Sequence, residues 1–132
     1  MQPKTTLTIA SIIGLIFSSA MFLAPEFVTR EQFPNSEGQG FADLVTLRYA
    51  IASLILALVI ISYHLRDITG HAFQIHVMRG YTLAFGVVCL TNLALQLTGK
   101  ISAVPPIVGT GVIAVLSLLT WRRLVSRTKE EA

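Results

Sequence analysis

Residues 44–63, LVTLRYAIASLILALVIISY, form an unbroken apolar stretch except for Arg48 and a few hydroxyls. At about 1.5 Å per helical residue they cover roughly 30 Å, the thickness of a bilayer's hydrocarbon core. A chain with such a stretch has to hide it in a membrane. The one cation inside it then needs a partner or a route to water, because a lipid-facing Arg near a helix centre costs about 2.5–3.5 kcal/mol.

Three more segments share this character: 5–24, 80–98 and 104–121. Of the 132 residues, 53% are hydrophobic and only 13% charged, against about 25% charged in soluble domains. The expected architecture is all-α: a polytopic membrane protein with four transmembrane helices packed as a bundle. It forms one domain, 1–132, with an outer loop at 25–43. Pro34, Asn35, Ser36, Gly38 and Gly40 mark that loop as turn-rich. Pro25 ends the first helix, since proline disfavours the helical conformation in the residue before it. Ser18-Ser19-Ala20 loosely resembles a signal-peptidase site, but the apolar run continues to Pro25, so segment 5–24 reads as a span. The third helix is expected to start before its span, near His71.

Orientation follows from the basic residues. Lys4, Arg66, Arg79, Arg122, Arg123, Arg127 and Lys129 fall on one side, whereas Arg30 and Lys100 fall on the other. The first side should be cytoplasmic, with both termini inside, in a bacterial inner membrane. The formal charge of +3 is scattered over turns and a tail, without a basic face interleaved with aromatics, so nucleic acid is not an expected partner. The bilayer is, and a second copy or another membrane protein is a candidate. Ala10, Gly14 and Ser18 make a small-xxx-small stripe that lets a helix approach closely.

With that topology, polar residues gather in the outer half. Arg48 sits about 7–8 Å below the outer boundary. Asn92 and Gln96 share one face of the third helix, and Glu26 lies just above. Two readings compete for Arg48, Asn92, Gln96 and Glu26. They are structural glue, with Glu26 or Asp43 balancing the charge and Asn92 bonding across helices. Alternatively, they line an outward-opening pocket for an anionic or polar lipid or solute.

Little chemistry is legible beyond this. The single cysteine, Cys89, supports no disulfide or Cys-based zinc site within one chain and reads as a packing residue. His64, His71 and His76 flank the cytoplasmic turn, where His64 and His76 could ligate a haem, but they are ordinary residues at an interface. No cofactor or metal motif and no nucleophile–base pattern appears. The spans contain no acidic residue, which argues against proton-coupled export of the small multidrug resistance kind.

Ala24-Pro25-Glu26 at the exit of helix one and Leu47-Arg48 at the entry of helix two resemble features of small four-helix bacterial inner-membrane proteins, loosely DoxX-like. Leu97-Thr98-Gly99 and Trp121-Arg122 add to the likeness. It implies the four-span fold. Members often carry Gly-Arg where this chain has Thr91-Asn92. The leading expectation is a non-enzymatic accessory or interaction protein. The second is a small carrier or binding protein for a solute or lipid, acting as an oligomer, and the third is a haem-bearing redox subunit.

Overall fold

The computed structural model describes residues 2–130, with side chains up to Thr128. Five helices follow in order: α1 Pro3–Leu23, α2 Pro25–Gln32, α3 Gly38–Leu65, α4 His71–Leu97 and α5 Val104–Glu130. Four of them, α1, α3, α4 and α5, are long and apolar enough to cross a membrane. The helix containing span 80–98 does begin at His71, and α5 continues past Trp121 as a regular helix to Glu130. The last two residues lie outside the described residues.

The connection 25–43 differs from the turn-rich loop that its composition predicts. Pro25 occupies the first position of α2, where its fixed φ suits a helix and its missing N–H costs nothing. Ala24, with φ −139° and ψ 56°, breaks the chain between α1 and α2. Only residues 33–37 are non-helical before α3 begins.

α1 packs along α3, and α4 packs along α5. α1 also touches α5, which joins the two pairs, whereas α3 and α4 do not pack along each other. The stripe Ala10, Gly14, Ser18 makes the first contact possible. Ser18 Oγ donates to the Ala52 carbonyl of α3 at 3.0 Å. A Cβ on Gly14 would stand 2.6 Å from Val59 Cγ2, so any side chain there would force Val59 to shift. Gly109 plays the same part between α5 and α1, where a Cβ would stand 2.6 Å from the Phe17 ring. Cys89 packs α4 on α5, its Sγ 3.5 Å from the Ile107 carbonyl.

One end of the bundle is closed. Leu7, Met78 and Leu124 form its core, and Thr6 and Thr120 hydroxyls meet at 2.7 Å. Ser62 of α3 and Tyr81 of α4 are hydrogen-bonded there. Lys4 pairs with Asp67 at 2.9 Å, and His71 Nε2 lies 2.9 Å from Thr128 Oγ1. The start of α1, the α3–α4 turn and the end of α5 therefore share this end, which carries most of the basic residues. α2 and the α4–α5 connection cover the other end, tied by Ser102 N donating to the Gln32 carbonyl at 2.9 Å.

Candidate functional site

Because α3 and α4 are held together near Ser62–Tyr81 but not along their length, a cleft opens between them. Its volume is about 340 Å³, and it runs from Ser62 up to Arg48. That interval is fourteen residues of α3, or about 21 Å of helix. Apart from Gln32, Arg48, Ser62, Asn92 and Thr110, its wall is carbon-rich, with Phe17, Ile55 and Phe85 among the residues that line it. Leu58 of α3 and Val88 of α4 line it while remaining 50% and 44% exposed, so the cleft has a sideways mouth between these two helices.

A second cavity of about 410 Å³ lies above the first, under the end of α2. Phe33, Leu95, Lys100 and Ile101 contribute to it. The two cavities share Gln32, Arg48, Ile51 and Asn92. Arg48 thus stands between an apolar chamber and a vestibule at the α2 end.

The setting of Arg48 is unusual. The residue is only 5% exposed. Its Nε donates to Thr29 Oγ1 at 3.3 Å, and Thr29 in turn donates to the Pro25 carbonyl at 2.7 Å. The guanidinium carbon lies 5.4 Å from the centre of the Phe33 ring, within cation–π range. Nη2 is buried and has no hydrogen-bond partner. Among the described residues, the ion pairs are Lys4–Asp67 and Arg66–Asp67, so no carboxylate neutralises Arg48.

The polar residues expected around Arg48 are divided. Asn92 does face both cavities. Its Nδ2, however, donates to the Val88 carbonyl of its own helix at 2.8 Å rather than across to a neighbour. Gln96 turns away, and its Oε1 accepts the Ala103 amide in the α4–α5 connection. Glu26 is exposed in the first turn of α2, where a carboxylate suits the helix dipole. Asp43 accepts from Gln39 at 2.8 Å. Neither acid reaches Arg48: the helical course of α2 sends Thr29 and Phe33 towards it instead of Glu26, and Asp43, five residues back on the same helix as Arg48, is at a poor angle for contact. Thr29 escaped the sequence reading; its i, i+4 spacing from Phe33 was the available signal.

No family model, curated protein or solved structure matches this chain.

Lys100 is held at the vestibule by the way α4 ends. Gly99, with φ +70°, takes the left-handed conformation that glycine tolerates. Gly99 N then donates to the Gln96 carbonyl at 3.0 Å, and Lys100 N to the Leu95 carbonyl at 3.2 Å. This is a Schellman close, and it fixes the backbone of a second cation beside the cavity that Arg48 faces. No acidic residue lines either cavity. At the opposite end of the bundle, His64 sits edge-on to Tyr63 at 5.9 Å. No group of three or more His, Cys, Asp or Glu side chains among the described residues could hold a metal.

Proposed function

We propose that this protein is a multi-pass protein of a bacterial cytoplasmic membrane that binds a membrane-borne amphiphile in the cleft between α3 and α4. Both termini are cytoplasmic in this reading, supported by the bias of Lys and Arg towards one end. The carrying observation is a carbon-lined cleft, open sideways at Leu58 and Val88, that ends on buried Arg48. A side opening at membrane depth admits molecules from the bilayer without passage through water. The volume lies within the roughly 300–1,000 Å³ typical of ligand pockets. This geometry favours the carrier or binding role over a purely accessory one, and the cleft is complete within a single chain.

The test is native mass spectrometry of the protein released from membranes in mild detergent. The expected spectrum carries one acyl-chain adduct per chain. Val88→Trp, which fills the mouth from the α4 side, should remove that adduct while the protein keeps its helical content and thermal transition. Equal adduct occupancy in wild type and Val88→Trp would overturn the assignment of the cleft.

A further inference from the structure

We infer that the amphiphile is anionic and single-chained, with its headgroup between Arg48 and Lys100 and its tail in the cleft. The inference rests on the binding role proposed above and specifies its ligand class.

The tail cannot supply selectivity. Lipid tails are as apolar as leucine, so moving a chain from bilayer to cleft gains little. Discrimination has to come from the polar end. There the protein offers Arg48, a residue only 5% exposed that lines both cavities, has no carboxylate partner among the described residues and keeps one buried N–H group without a hydrogen bond. A buried charged donor left unmade is costly, and a hydrogen bond to a charged group is among the stronger ones. An anionic oxygen in the vestibule would neutralise that charge and accept a charge-assisted hydrogen bond from the guanidinium. Lys100 adds a second basic residue to the vestibule lining, and neither lining contains an acidic residue.

Size restricts the tail. A methylene occupies about as much space as a liquid water, roughly 30 Å³. A cleft of about 340 Å³ therefore matches one chain of about eleven carbons. A longer chain can continue through the mouth at Leu58 and Val88. The interval from Arg48 to Ser62, about 21 Å, is longer than one leaflet's half of a roughly 30 Å core, so a tail from one leaflet can lie along it.

A carboxylate and a phosphate both satisfy this chemistry, and the experiment separates them. Wild-type protein in phosphatidylcholine nanodiscs is loaded with a fluorescent palmitate analogue. Palmitate, hexadecyl phosphate and hexadecanol then compete at equal mole fraction in the bilayer. The anions should displace the probe at least about tenfold better than the alcohol, reflecting one charged hydrogen bond. Displacement by either anion supports the inference, and the stronger one names the headgroup. Arg48→Leu should erase the preference for anions over alcohol, and Arg48→Lys, which keeps the charge, should retain part of it. Lys100→Gln should weaken anion binding a few-fold, with an effect that shrinks at high salt.

Equal displacement by hexadecanol and palmitate, or an Arg48→Leu protein that still prefers anions, would overturn the headgroup assignment and leave the cleft reading standing. Wild-type protein that holds no probe at all would overturn the cleft reading itself. Displacement by tailless acetate or inorganic phosphate as effective as by palmitate would also overturn the inference, because the tail would then play no part.

Discussion

Arg48 Nε and Thr29 Oγ1 lie 3.3 Å apart, joining the entry of α3 to the short helix α2 that covers it. Thr29 is fully buried, and its hydroxyl proton is committed to the Pro25 carbonyl. Its oxygen is therefore left as an acceptor for the guanidinium. A neutral hydroxyl orients Arg48 without cancelling its charge, which keeps the cation available to a ligand.

Thr29→Val should lower stability by about 1 kcal/mol, since it deprives a buried charged donor of its acceptor. Arg48→Leu should leave the thermal midpoint of the ligand-free protein unchanged or higher, because it removes a buried charge with no counter-ion. Once Arg48 is Leu, Thr29→Val should cost much less. A double-mutant cycle by thermal unfolding in detergent reads this coupling. Additive effects would show that the two side chains do not interact.

Gly14→Leu should push α1 off α3. Even a Cβ stands 2.6 Å from Val59 Cγ2 at this position. Overpacking of this kind costs about 1–3 kcal/mol. The displacement should also break the bond from Ser18 to the Ala52 carbonyl one turn further along the helix. Gly14→Ala should show a smaller effect in the same direction. A melting temperature equal to wild type for Gly14→Leu would place this stripe away from any helix interface.

Sidedness is open to direct labelling. In a Cys89→Ala background, Asn35→Cys should react with a membrane-impermeant maleimide on intact cells. Ser126→Cys should react only after the membrane is opened. Both positions are exposed and lie towards opposite ends of the bundle. Labelling of both from outside would overturn the arrangement with both termini in the cytoplasm.

The pH dependence should centre on Asp67. The hydrogen bond from Lys4 holds its carboxyl below the usual value of 3.8, and the charges of Lys4 and Arg66 add to this. Its pKa is thus lower folded than unfolded, so its contribution is fully present above the ordinary value and lost as pH falls through the depressed one. Wild type should lose thermal stability relative to Asp67→Asn over this acidic range. The difference should be small and should shrink with salt, because the pair is exposed. Parallel midpoint-versus-pH curves for the two proteins would show that the pair does not tie α1 to the α3–α4 turn.

The sequence alone determined the four long apolar helices, because each carries its own length and composition regardless of what surrounds it. The helix ends were equally local: Pro25 ending α1 and Gly99 closing α4 act through their own backbone conformations. The stripe through Gly14 announced a close contact but did not name its partner. Only the tertiary structure decided that α3 and α4, though consecutive, stand apart and leave a cleft. Nor does depth along the helices decide which polar groups meet. Arg48, Asn92 and Gln96 are expected at one level, yet Gln96 turns to the Ala103 amide, while Thr29 and Phe33 arrive from a segment that composition marks as loop. Span length and hydropathy are properties of one segment, and the sequence displays them directly. Which side chain faces Arg48 depends on the rotation and tilt of neighbouring helices, and these are set by packing among residues distant in the chain.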